Sequence, residues 1–201
     1  QFPFQYWLPN AMAAPTPVSA YLHSAAMVKL GIFLTVRMYP VFKTLSGWNE
    51  TLLWVGFITM TIGGIFSFLS NDLKGILAYT TVSQLGFLIG FYGLGTLGLE
   101  HDFFQILNHV FYKGSLFMVA GIIIHSIGTK DIRKIGGLAS VMPLTAITAT
   151  IAGLSMAGIP GTMGFVSKEI MVSKVLELVT VNGGGIYWLF PACLFISAMC
   201  L

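Results

Sequence analysis

The chain has 201 residues, 56% of them hydrophobic and 8% charged, and a formal net charge of +3; its mean hydropathy is +0.85. A soluble domain carries about a quarter charged residues, so water is excluded as the main solvent. The scattered charges form no basic stripe or tail, which sets aside a nucleic-acid partner. Runs of about 20 apolar residues fit a hydrocarbon core about 30 Å thick, and the class expected is an all-α, polytopic transmembrane helix bundle in a lipid bilayer.

The first segment, Gln1 to Pro17, is rich in aromatics and carries Pro9, Pro15 and Pro17, which prevent one uninterrupted helix. It reads as half of a broken helix. A span follows from about Val18 to Met38, closed by Arg37 and Pro40, and a polar connection from Lys43 to Glu50 leads to a second span, about Leu52 to Leu69. Asn71-Asp72-Leu73-Lys74 turns the chain into a third, about Gly75 to Gly95, where Gly86, Gly90 and Gly93 offer close helix contact.

After Glu100-His101-Asp102 comes a fourth span, about Phe103 to Ile127, with His125 at its boundary, and then the strongly charged connection Thr129 to Lys134, which must face water. The fifth begins near Leu138 and is interrupted at Gly158-Ile159-Pro160-Gly161, after which a second helical piece runs through Lys168 to about Val181. Asn182 and three glycines make a loop, and a sixth span starts near Ile186. Gln1 is not an initiator methionine, no signal peptide precedes the first apolar segment, and Leu201 falls inside an apolar run, so both ends read as truncated. Residues 1–201 are taken as a fragment of a single transmembrane domain of about six spans. Cys193 and Cys200 lie in the last run at a spacing that fits neither a disulfide framework nor a metal knuckle.

Alternation places the connections holding Lys74 and the Lys130, Arg133, Lys134 cluster on one side, with Arg37 and Lys43 on the other. By the positive-inside tendency the Lys130–Lys134 loop is expected in the cytoplasm of a multi-pass protein of the inner or plasma membrane.

Five ionisable side chains sit where an apolar span should have none: His23 and Lys29 in the first full span, His109 and Lys113 in the fourth, and Lys168, beside Glu169, past the second break. A cation at mid-bilayer costs about 2.5–3.5 kcal/mol on the lenient insertion scale, so the set costs on the order of 10 kcal/mol if charged. A purely structural bundle has little reason to keep them. Desolvation disfavours the charged form of lysine, which lets a buried lysine exchange a proton near physiological pH, and histidine accepts on one nitrogen while donating from the other.

Gln105, His109 and Lys113 recur at i, i+4, i+8 on one helix face, about 6 Å apart per step. That is too far for direct transfer, so water is expected between the steps. His23 and Lys29, six positions apart, fall about 240° around a helix, and each is expected to look toward a different neighbour. The breaks supply unpaired backbone groups that are tolerated only in protein or along a hydrated cavity. The bland readings are a backbone-satisfied His23, lysines snorkelling to an interface, a local Lys168–Glu169 ion pair, and a solvated turn for Asp72 with Lys74. No metal site is read.

Leu8-Pro-Asn-Ala-Met-Ala-Ala-Pro-Thr-Pro-Val-Ser-Ala-Tyr-Leu-His-Ser-Ala-Ala-Met-Val-Lys29 resembles the signature of the proton-conducting membrane transporter family. That family includes antiporter-like subunits of respiratory complex I, membrane subunits of related hydrogenases, and Mrp-type multisubunit cation/proton antiporters. Asp72 to Gly86, Asn108-His-Val-Phe-Tyr-Lys113 to Gly121, Gly128 to Gly137, and Ser155-Met-Ala-Gly-Ile-Pro through Lys168-Glu169 extend the likeness over nearly the whole chain up to about Lys174. The pairing of Ala-Tyr-Leu-His-Ser with Asn-His through Lys-Gly-Ser-Leu-Phe-Met is most similar to the large A-type subunit of Mrp antiporters.

The resemblance implies a partial antiporter-like fold of inverted five-helix repeats with two discontinuous helices. It implies that His23 is the connecting histidine, Lys113 the central lysine of the second channel, His109 the histidine one turn before it, Lys168 the lysine leading to the exit, and Lys29 a bridging lysine of some members. Gln105 stands where many relatives have a second histidine, and Gly161-Thr-Met163 departs from the usual sequence after the break. The function expected is proton translocation within a multisubunit Na+ (cation)/H+ antiporter, with other membrane subunits, protons and Na+ as partners, no cofactor and no enzymatic chemistry of its own. The alternatives are a proton-pumping subunit of a complex I or hydrogenase membrane arm, which would count as a translocase, a haem protein using His23 and His109 as axial ligands, and a non-conducting scaffold.

Overall fold

A computed structural model of the chain describes residues 1–95 and 99–181. The expected loop from Asn182 and the sixth span from about Ile186, with Cys193 and Cys200, lie outside the described residues, and so do the side chains of Glu100, His101 and Asp102.

Proline breaks the first segment as the sequence requires. Helix α1 (Trp7–Asn10) passes into a short 3-10 turn at Ala11–Ala13. Ala14 is then extended at ψ 156°, the conformation the ring of Pro15 imposes on the residue before it. α2 (Thr16–Ser24) restarts with Pro17 in its first turn, where the missing N–H costs nothing. The structure departs from a continuous span here: α2 stops at Ser24, Ala25 and Ala26 leave helical register, and α3 (Met27–Phe42) begins after them. Pro40 sits inside α3.

α4 (Trp48–Leu69) and α5 (Leu73–Gly93) form the tightest pair, and α5 carries the longest run of buried residues among the described helices. Their closeness follows from glycine. A Cβ on Gly86 would lie 2.5 Å from the Met60 amide nitrogen and 2.8 Å from the Gly56 carbonyl oxygen, and one on Gly63 would lie 2.5 Å from the Ser83 nitrogen. The small residues read from the third span therefore bring two backbones together, as membrane helices do without a hydrophobic force between them. α6 (Leu99–Ile127) has 29 residues and is about 43 Å long at 1.5 Å per residue. It packs on α2, α5, α8 and α9, with α7 (Leu138–Val141), α8 (Pro143–Ala157) and α9 (Met163–Val181) completing the described chain.

The second break lies at the expected place. α8 ends with Gly158 at φ +79°, a left-handed cap only glycine adopts without strain, and α9 starts five residues later. Four helical spans among the described residues are long and apolar enough to cross a membrane: Thr16–Phe42, taken across its kink, Trp48–Leu69, Leu73–Gly93 and Phe103–Ile127.

The α4–α5 and α6–α7 connections meet at one end of the bundle. Lys130 pairs with Asp72 at 2.8 Å, Leu73 N–H donates to the Lys130 carbonyl at 2.9 Å and Ile132 N–H to the Asn71 carbonyl at 3.0 Å. Asp72 is thus a pinned junction and the N-cap of α5, accepting from the Lys74 amide at 3.0 Å. Beside it, Arg133 donates twice to Asp131, at 3.0 and 2.9 Å, and holds that carboxyl down to about 2 from its usual 3.8. A folded pKa below the unfolded one means the contact contributes fully above 3.8 and is lost as pH falls toward 2. In a carboxyl-labelled sample of the full-length protein, Arg133→Gln is expected to move the Asp131 midpoint back toward its usual value. An unchanged midpoint would contradict the pairing.

Candidate functional site

α6 presents Gln105, His109 and Lys113 inward, 1%, 2% and 0% exposed. The three share one face, as their spacing demands. At one end the Gln105 amide donates to Gln84 Oε1 on α5 at 3.3 Å and accepts from the Ser167 hydroxyl on α9. At the other the Lys113 ammonium donates to the Leu77 carbonyl of α5 at 3.1 Å and to the Thr80 hydroxyl. Between them His109 lies edge-on to Tyr112, ring centres 5.4 Å apart. Both His109 ring nitrogens and the Tyr112 hydroxyl are buried without a protein hydrogen-bond partner.

The first span brings its two ionisable side chains to the same helix. Lys29, on α3, donates to the Ile106 carbonyl at 3.0 Å, one residue past Gln105. His23, on α2, packs on Phe117, one turn past Lys113, with ring centres 5.3 Å apart, and its Nδ1 lacks a partner. His23 and Lys29, expected to look toward different neighbours, instead both face α6, at two levels of it. The break at Ala25–Ala26 allows this, because on an unbroken helix their directions would diverge by about 120°. His109 lies within Coulombic range of Lys29, Lys113 and His23, and Lys113 within range of Lys168.

Lys168 reaches back across the second break to the Met156 and Ala157 carbonyls at 2.7 and 3.2 Å. These are orphan acceptors at the end of α8, the negative pole of that helix. Its aliphatic stem passes over Gly158, where an added Cβ would come within 2.9 Å of Lys168 Cδ. Glu169 points outward, so Lys168 is held by backbone carbonyls and not by a local ion pair. Lys74 does the same at the first break, donating to the Ala14 carbonyl at 3.1 Å. The structure therefore gathers His23, Lys29, His109 and Lys113 along α6, sets Lys168 at the second break, and leaves Asp72, Lys74 and Glu169 outside that set.

Sequence reasoning did not single out Thr80, Gln84, Ser167 and Tyr112. The signal was the density of polar residues in an otherwise apolar span: Thr80, Thr81, Ser83 and Gln84 are consecutive or nearly so, and all are buried. The Ser155 hydroxyl of α8 to Asn108 Oδ1, at 3.3 Å, is a further link between α8 and α6.

Two broken helices around a buried file of lysine and histidine define a multi-pass membrane protein of the antiporter-like fold. The chain belongs to the NADH:quinone oxidoreductase/Mrp antiporter transmembrane family, whose sequence pattern matches residues 1–194. It is 50% identical over 183 residues to the A/B subunit of a probable K(+)/H(+) antiporter of Rhizobium meliloti, covering 90% of this chain and 18% of that protein. It is 45% identical over 196 residues to the A1 subunit of a Na(+)/H(+) antiporter of Staphylococcus saprophyticus, covering 90% of this chain and 24% of that protein. The chain thus spans a quarter or less of these relatives. Among solved structures it matches a chain of the membrane-bound sulfane sulfur reductase, an archaeal respiratory membrane complex, with TM-score 0.86 and 29% identity, covering 99% of this chain and 40% of that one. It also matches a chain of the Mrp complex from Dietzia sp. DQ12-45-1b, with TM-score 0.85 and 26% identity, covering 99% and 37%. The A-type resemblance read from the motifs agrees with the names of both curated relatives.

Proposed function

We propose that this chain carries protons through the membrane within a multisubunit Na+ (cation)/H+ antiporter, with other membrane subunits as partners and the Lys130–Lys134 loop in the cytoplasm. Lys113 holds the proton, His109 and His23 relay it through water, Lys29 bridges to the first half of the fold, and Lys168 passes it toward one surface. The observation that carries the reading is His109. Its two buried, unpartnered ring nitrogens lie on one helix face between Gln105 and Lys113. Buried polar atoms are satisfied by protein or by ordered water, and an imidazole with water on both sides has the means to accept a proton on one nitrogen and donate from the other.

His109→Leu in the full-length protein, assembled in its complex, is expected to slow proton-coupled cation flux in everted vesicles by about a hundredfold, the lower end of what a positioned acid–base group contributes. Unchanged flux with normal assembly would refute the relay through His109. A second reading couples the same file to electron transfer. It is favoured by the likeness to a chain of a respiratory sulfur reductase, and co-purification of redox subunits would decide for it.

A further inference from the structure

Outside the buried file, a cleft of about 390 Å³ opens between α3 and α6, within the usual range of small-molecule sites. Phe33 of α3 and Phe103 of α6, each 65% exposed, give it apolar walls, and buried Ile32 lies at its floor. Arg37 also lines it, one turn past Phe33 and close to the end of α3. Arg37 is exposed, and no ion pair among the described residues involves it. The lining is thus apolar along its length and carries one cation, near a helix end where a span meets the headgroup region.

We propose that this cleft binds an anionic phospholipid, with the Arg37 guanidinium on the phosphate and an acyl chain along Phe33, Val36 and Phe103. Charge complementarity decides the occupant. A guanidinium offers a planar fork of donors that matches phosphate two-fold, whereas a wholly apolar partner helix would leave this charge unpaired at a protein interface. The site also touches the buried file at one point, since Ile106 lines the cleft and its carbonyl receives Lys29. The proposal goes beyond the proton reading and does not depend on it.

The test uses the full-length protein in its complex, reconstituted with phosphatidylglycerol or phosphatidylcholine carrying the same diazirine-bearing acyl chain. Phosphatidylglycerol is expected to label Phe33, Val36 or Phe103 in preference to phosphatidylcholine. Arg37→Gln is expected to lower that preference about fivefold, the worth of one basic side chain near an anionic surface, and Arg37→Lys to retain part of it. Val36→Trp, which fills the cleft and keeps the charge, is expected to reduce labelling by both lipids. Equal labelling by the two lipids, a preference untouched by Arg37→Gln, or no adduct at these positions from either lipid would overturn the proposal.

Discussion

Replacing Lys113 with alanine is expected to lower proton-coupled cation flux in everted vesicles by at least about a hundredfold, because a positioned proton-transfer group contributes about 10²–10⁴. Lys113 is fully buried, and its ammonium is held by the Leu77 carbonyl and the Thr80 hydroxyl at the end of the α6 stripe. Truncation also leaves those acceptors unsatisfied, at about 1–3 kcal/mol, so lost flux in this variant mixes chemistry with structure. Lys113→Arg separates them. Arginine keeps the charge and the donors but does not give up its proton, so a carrier site falls silent while a scaffold site survives. Assembly retained with flux lost in the arginine variant is the expected pair of results. Flux retained with arginine would return Lys113 to a packing role.

Gly86→Ala is expected to destabilise the bundle by about 3 kcal/mol, at the upper end for overpacking, because the added carbon meets backbone atoms that no rotamer change can move. Those atoms are the Met60 nitrogen at 2.5 Å and the Gly56 carbonyl oxygen at 2.8 Å. The consequence reaches the site. α5 carries Thr80 and Gln84, which hold the two ends of the α6 stripe, so pushing α5 away from α4 shifts both anchors. Gly31→Ala is the matched control, since nothing lies within 4 Å of its added carbon. Thermal unfolding of the full-length protein in detergent is expected to show a large fall for Gly86→Ala and a rise or no change for Gly31→Ala, where the helical propensity gain stands alone. Equal midpoints for the two variants would contradict the close α4–α5 contact.

The stripe was legible because its residues carry a helical period on a charge class that lipid penalises: Gln105, His109 and Lys113 needed only the sequence and the 3.6-residue turn. The breaks at Pro15 and Gly158 were legible for a similar reason, since proline and glycine state their conformational demands locally. The kink at Ala25–Ala26 was not, because alanine is the best helix former and nothing nearby interrupts the pattern. Contacts with α6 flank it on both sides. Gly114 of α6 runs close to Ser24, where an added Cβ would lie 3.6 Å from the serine oxygen, and both His23 and Lys29 must reach α6 from one chain segment.

The lysine caps were also hidden in the sequence. Lys168 beside Glu169 suggests an ion pair, yet the nearest strong acceptors are the carbonyls freed by the break, which belong to residues eleven and twelve positions away. Sequence adjacency does not show where a broken helix places its orphan groups. Thr80 and Gln84 illustrate the same limit from the acceptor side: their polarity was visible, but the facing register of α5 and α6 that gives them partners arises only on folding.

The most direct measurement is a map of ordered water around His109 in the full-length protein, by electron cryomicroscopy at a resolution that separates single waters from side chains. Density is expected within hydrogen-bonding distance of both imidazole nitrogens, continuing on one side toward Gln105 and on the other toward Lys113 and Thr80. Carbon atoms alone against both ring nitrogens would mean that the file is dry, and that protons cross this membrane by another route.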